Sequence, residues 1–464
     1  MPFLGTTGGA SVKQYGGLAN LGYFIKNSLR LRNSVPGYLT RTFGTPTNTT
    51  AFTLSFWVKR GSLGSLQQFF LATLGGAGVV QGNIEFQSDD TIHYWGYNGS
   101  SSVFDLVTTQ VFRDPAAWYH IVAVWDSANA TSSSRVRLYV NGTQVSSFSS
   151  STYPSQNASN ATIAWNTAVT HYISRASVYP IDCYIAEINF IDGQALTSSS
   201  FGKTDAVTGQ WIPKKFAGTY GNNGFYLKFA DASAATAAAI GKDSSPNGNN
   251  WTPNNISVTA GVTYDAMIDS PTRSAAASNY CVLNTLEKTG GSVVDGSLKF
   301  TNGSATSHMV GSTFVPTGLC YAEFQPTGWG NGNNNIGLRT NLGASNSLIH
   351  ASGGVAYELR NGTVIFNGTT QATYTAATGT SNVAMLAYDP SSGKLWFGLD
   401  GTWFNSGNPA AGTGQVYTIT TPTDAWRIFV QSWDTTNAMS ANFGQRPFTY
   451  TPPSGFVALN TFNL

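Results

Sequence analysis

Residues 118–126 read WYHIVAVWD, and this stretch decides the fold class. It is apolar on both alternations, the pattern of a strand covered on both faces. Working outward, FTLSFWVK at 52–59 sets Phe52, Leu54, Phe56 and Val58 against Thr53, Ser55, Trp57 and Lys59. That period of two predicts a half-buried strand. RVRLYV at 135–140 alternates and runs into Asn141-Gly142, a strong hairpin turn. YIAEINFI at 184–191 is a further strand, stopped by Asp192-Gly193. The pattern returns at 383–388, at Leu395, Phe397 and Leu399 before Asp400-Gly401, at 428–433 and at 439–443. Pro452-Pro453 then ends ladder pairing. Short strands at regular spacing, separated by Gly and Asn turns, predict an all-β chain of two β-sandwiches.

Composition agrees and excludes several functions. The 464 residues carry 24 Lys plus Arg and 22 Asp plus Glu, 10% of the chain, against about 25% in an average soluble protein. Disorder does not account for the deficit, because 12 Trp, 21 Tyr and 27 Phe supply abundant core material. The surface must be rich in Ser, Thr, Asn and Gly. A net charge of +2 with no dense Lys/Arg run argues against nucleic acid. No stretch approaches the ~18 apolar residues of a membrane helix, so no membrane insertion is expected. Cys183, Cys281 and Cys320 form neither a disulfide framework nor a metal spacing. With no basic or apolar leader in MPFLGT, synthesis in a reducing cytosol is expected.

Four segments follow. Residues 1–35, Gly-rich and then mildly amphipathic, predict an N-terminal arm for attachment or oligomerisation. Residues 36–202 predict the first sandwich. Residues 203–277 change character, with an Ala/Ser/Thr run and SSPNGNN at 244–250, and read as an ordered connector packed on one neighbour. Residues 278–464 predict the second sandwich.

The strands FTLSFWVKR, WYHIVAVWD, RLYVNG and YIAEINFIDGQAL at 184–196 resemble a laminin-G-like, concanavalin-A-like jelly-roll domain. AYDPSSGKLWFGLDGTWFNSGNP at 387–409 and ANFGQRPFTYTPPSGFVAL at 441–459 resemble a SPRY domain. NGFYLKFAD at 223–231 and GKDSSPNGNNWTPNN at 241–255 resemble the segment joining such modules in tail-fibre-like virion proteins of bacteriophages. The resemblance implies a recognition protein on the virion surface, made in the host cytoplasm and trimeric as such fibres usually are.

Laminin-G-like relatives hold calcium at the sandwich rim, which makes Asp126 and Asn129 the candidate ligands; turn capping is the competing reading. Calcium needs 6–8 oxygens, so one strand-end carboxylate is not enough. No other cofactor is expected. Jelly-roll relatives also include glycan hydrolases, which need two carboxyl groups flanking the bond. The glutamates are Glu85, Glu187, Glu287, Glu323 and Glu358, none near another, and Glu187 and Asp192 lie at an odd offset. The chain is therefore not expected to be an enzyme.

Sugar recognition uses aromatic platforms beside amides and hydroxyls. Tyr94, Trp95, Tyr97 and Asn98 have this chemistry beside a turn. Trp329 and Asn331 have it in the second sandwich, with Trp403 and Trp433 at strand ends. Trp57 and Trp396 are expected in the cores, and His120 is expected to be a satisfied core residue. The expected function is a tail fibre or spike component that binds a host glycan or protein receptor through sandwich loops and joins other virion proteins through its arm. The alternatives are a purely architectural head fibre or capsid decoration, and a glycan hydrolase.

Overall fold

A computed structural model describes residues 23–75, 79–175, 179–340, 353–422 and 424–464. Its strands form two antiparallel sandwiches, and its helical turns are short 3-10 pieces. In the first sandwich one sheet runs Thr143–Gln144, Val136–Val140, Trp118–Asp126, Ala51–Arg60, Cys183–Asp192, Ser28–Leu31 and Ala266–Met267. Phe225–Leu227 also pairs with Cys183–Asp192. The facing sheet runs Phe148–Thr152, Ser102–Val111, Thr91–Asn98, Val80–Phe86, Gln67–Thr73, Thr170–Ile173, Tyr38–Thr42 and Thr252–Asn254.

Alternation places the core. Phe52, Leu54, Phe56 and Val58 meet Ile121, Ala123 and Trp125 from the neighbouring strand, and Ile84, Tyr94, Phe104 and Leu106 from the facing sheet. Strand Trp118–Asp126 is buried on its other side as well. Val122 and Val124 pack under Phe201, Phe216, Tyr220 and Tyr226, and Trp118 lies against the second sandwich. The Asn141-Gly142 turn has positive φ at both residues (47° and 87°), as a type I′ hairpin requires.

The second sandwich stacks the sheet Leu283–Lys288, Ser307–Ser312, Arg427–Trp433, Asn334–Arg339, Gly354–Glu358, Thr363–Phe366 and Thr369–Thr373 on a second sheet. That sheet runs Ser292–Val294, Lys299–Thr301, Ala438–Asn442, Cys320–Gly328, Ala384–Asp389, Lys394–Leu399 and Thr402–Trp403.

Two expectations need correction. The arm over 1–35 does not hold for its second half: Ser28–Leu31 is an interior strand, with Leu29 paired to Ile185 on one side and Ala266 on the other. Residues 1–22 lie outside the described residues. The segment 203–277 is more than a connector, since it gives strands to both sheets of the first sandwich and Trp251 to its core. These strands are two or three residues long, too short to show a period. Trp57 and Trp396 are buried in hydrophobic clusters as expected, on the outer sides of their sheets. Trp57 stacks on His120 at 4.8 Å near the seam, and Trp396 lies with Tyr321 and Phe456 under the C-terminal segment.

The two sandwiches share a buried seam. The Asp182 carboxylate accepts the backbone N–H groups of Asp295 and Gly296 and the Ser62 hydroxyl. Lys59 Nζ reaches Asp269 Oδ2 at 2.9 Å and the Tyr280 carbonyl at 2.6 Å. Tyr184 donates to the Gly296 carbonyl at 2.8 Å.

Candidate functional site

Three adjacent strands of the first sandwich build a polar and aromatic patch on the side away from the core. In VQGNIEF (Val80–Phe86), Ile84 and Phe86 point inward, so Gln81, Asn83 and Glu85 point outward. In TIHYWGYN (Thr91–Asn98), Ile92 and Tyr94 are core, so His93, Trp95 and Tyr97 are outward. Register then sets the neighbours. Asn83 pairs with Trp95 and Trp95 with Asp105; Gln68 pairs with Glu85 and Glu85 with His93. Gln81, Tyr97 and Ser102 form the next row.

Glu85 organises the patch. Although outward, it is only 5% exposed. Its carboxylate accepts Trp95 Nε1 at 3.0 Å, Gln87 Nε2 at 2.7 Å, Gln68 Nε2 at 3.4 Å and the Asn83 amide. His93 Nδ1 lies 3.1 Å from Glu85, and its Nε2 lies 3.3 Å from Asp105 Oδ2. The His93 ring stacks on Trp95, with centroids 5.6 Å apart. A partly exposed indole is thereby fixed on both its nitrogen and one face, as preorganised recognition requires.

Tyr94, expected beside Trp95, is instead buried between Phe104 and Trp165, and burial pushes its hydroxyl well above the ordinary range. Adjacent strand residues point to opposite faces, so Tyr94 and Trp95 cannot serve one surface. Tyr97 stays on the outward face, partly exposed. Asn98 caps the following turn, accepting Ser100 N and Ser101 N at 2.9 Å.

A second group of candidates meets at one end of the second sandwich. Asn331 and Trp433 line an open cleft of about 350 Å³ with Ala305, Gly332, Asp434 and Thr435. The Trp433 indole is 46% exposed and donates to the Ala305 carbonyl at 2.7 Å. The Asp434 carboxylate accepts Thr436 N and Asn331 N, both at 3.0 Å, and the Thr436 donors hold it below the usual carboxylate range. Buried Asn437 ties this loop to Gly330 and Gly332. Trp329 stands beside the cleft under the Arg360 guanidinium, 5.1 Å from the ring centroid. Trp403 is elsewhere, edge-on to Tyr321 on the outer side of the opposite sheet.

At the expected calcium position, donors surround the carboxylate. Asp126 Oδ2 takes Arg137 Nη1 and the Asn129 amide nitrogen, each at 3.2 Å, while Asn129 Oδ1 accepts Thr131 N. The carboxylate thus engages a guanidinium and an amide donor, the arrangement of a capped turn. Among the described residues no group of three or more His, Cys, Asp or Glu is placed to hold a metal.

Glu187 and Asp192 stay apart. Glu187 sits at a bulge with φ 53°, buried, and accepts Tyr226 OH at 2.6 Å; Asp192 accepts Thr47 N and the Asn166 amide. His120 is buried and satisfied by Ser55 and the Trp211 indole. Burial pushes its imidazole down to about 3.

Among solved structures the chain is similar to a Bacteroides ovatus protein described as carbohydrate-binding (15% identity, TM-score 0.32, 50% of this chain and 59% of that one). It therefore spans about three-fifths of that protein's length. It is also similar to mouse laminin alpha1 domains LG4-5 (10% identity, TM-score 0.32, 95% and 87% covered). A third similarity is to the SPRY domain of human HERC1 (14% identity, TM-score 0.30, 36% and 99% covered). No curated protein matches the sequence. Residues 36–190, within the first sandwich, match the family described as the concanavalin A-like lectin/glucanases superfamily.

Proposed function

We propose that the chain is a bacteriophage virion protein of the tail-fibre or spike kind, and that its first sandwich binds a host-surface glycan. The observation that carries the binding reading is the Glu85–Trp95 bond, which fixes a partly exposed indole beside the Asn83 amide. Pyranose rings have apolar faces and hydroxyl edges, so a fixed indole ringed by Gln68, Gln81 and Asn83 suits them. The match of residues 36–190 to a lectin and glucanase superfamily supports the same ligand class. The virion role is supported by the order of modules in one chain and by a surface poor in charge. A homotrimer attached through residues near the N-terminus fits this role.

Purified protein should bind host cells, and Trp95→Ala should abolish that binding while leaving the fold intact. Equal binding by the variant overturns the proposed site. A protein that labels purified capsids but never cells is architectural instead.

A further inference from the structure

The patch around Trp95 has an imbalance of donors and acceptors that defines its ligand more narrowly. Three of its side-chain oxygens, Gln68 Oε1, Asn83 Oδ1 and Asp105 Oδ1, are buried and have no hydrogen-bond partner. Asn83 is 2% exposed. Buried acceptors normally find donors, and one left unmade is costly. The three lie in neighbouring register positions: Asn83 and Asp105 flank Trp95 in one row, and Gln68 stands beside Glu85 in the next. The donors of the patch converge on Glu85 instead.

Charge has the same sign. The outward positions carry Glu85 and Asp105, and strands Gln67–Thr73, Val80–Phe86, Thr91–Asn98 and Ser102–Val111 contain no Lys or Arg. The charged and titratable groups facing the patch are Glu85, Asp105, His93 and Tyr97, two carboxylates with no Lys or Arg among them. Arg175, beyond the neighbouring strand Thr170–Ile173, is placed over Tyr172, and Arg113 is paired with Asp90 at the turn between two patch strands.

We infer that the patch takes a glycan bearing a free, protonated amino group, and excludes carboxylated or sulfated sugars. An ammonium offers three donors and no acceptor. It would pair with the partly exposed Asp105 carboxylate and lie against an indole face that favours cations, with the orphan oxygens turning outward to meet its remaining donors. A carboxylate or sulfate would bring acceptors to acceptors and negative charge to negative charge. This assignment rests on the glycan reading of the same patch and specifies its chemistry.

Calorimetry with three trimers of similar shape tests it: the fully deacetylated glucosamine trimer, its N-acetylated counterpart and cellotriose. At slightly acidic pH the free-amine trimer should bind about tenfold or more tighter than either of the others. Asp105→Asn should remove most of that preference while Trp95→Ala weakens every trimer. Asn preserves the shape of Asp105, and circular dichroism reports whether each variant is folded. Equal affinity for the three trimers, or binding of none, overturns the ammonium assignment. The glycan reading then stands or falls separately, on the binding of Trp95→Ala to host cells.

Discussion

Asp182 of the first sandwich receives the backbone N–H of Asp295, 113 residues away in the second, at 2.8 Å in a fully buried seam. The same carboxylate also takes Gly296 N and the Ser62 hydroxyl. Asp182→Ala would strand two backbone donors away from water. The expected loss is about 2–4 kcal/mol, read in urea unfolding, with new cleavage near 292–297 in limited proteolysis. An unchanged midpoint would mean the seam contributes nothing to stability.

Glu187 should make stability depend on pH in the unusual direction. Burial, more than any neighbour, pushes its carboxyl up to about 7. At low pH the group is protonated in both folded and unfolded chains. As pH rises through the ordinary carboxylate range, the unfolded chain releases its proton first and the native chain retains it. Stability therefore falls until the native group ionises near pH 7, and is flat above. Glu187→Gln keeps an acceptor for Tyr226 and cannot ionise. Relative to this variant, the wild type should lose about 2–3 kcal/mol between about pH 4.5 and pH 7.5. Melting curves across that window give the answer, and parallel profiles would refute the claim.

Lys59 and Asp269 are both fully buried and paired at 2.9 Å, with Trp118 and Tyr280 N also donating to the carboxylate. Lys59→Ala leaves Asp269 as an uncompensated charge and should cost about 3–5 kcal/mol. Asp269→Asn with Lys59→Met should recover part of that in chemical denaturation, because no buried charge then remains.

Glu85→Gln tests whether the indole must be held. The amide replaces one acceptor oxygen with a donor, set either against Trp95 and Gln87 on the Oε1 side or against Gln68 and Asn83 on the Oε2 side, all of them donors themselves. Glycan binding should fall about tenfold, with a smaller change in melting temperature. Trp95 fluorescence should shift as the ring loosens. Affinity equal to wild type would make Glu85 a purely structural residue.

The long strands were legible because each has one apolar face and ends at a Gly, Asn or Pro signal; WYHIVAVWD even announced two covered faces. Trp95 and Trp433 were legible as aromatic residues near turns. Glu85, His93 and Asp105 were not, since each is unremarkable in its own strand and only register makes them neighbours. Tyr94 could have been removed from the candidates by alternation alone. The Arg137 partner of Asp126 was not legible either, since a carboxylate at a strand end looks the same whatever faces it and Arg137 lies 11 residues on. The strands from 225 to 267 are too short to reveal a period.

Ser28–Leu31 pairs with Ala266–Met267 across the edge of the first sandwich. That pairing has a consequence for synthesis. A ribosome delivers residues in order, so the first sheet cannot close until about 270 residues have left the exit tunnel. Until then Leu29 and Leu31 have an unpaired strand edge beside them, available to another nascent chain. Loop closure over so long a separation is slow. Folding of the first sandwich should therefore overlap with translation of the second, and a ribosome stalled near residue 200 should carry a protease-sensitive, chaperone-bound chain.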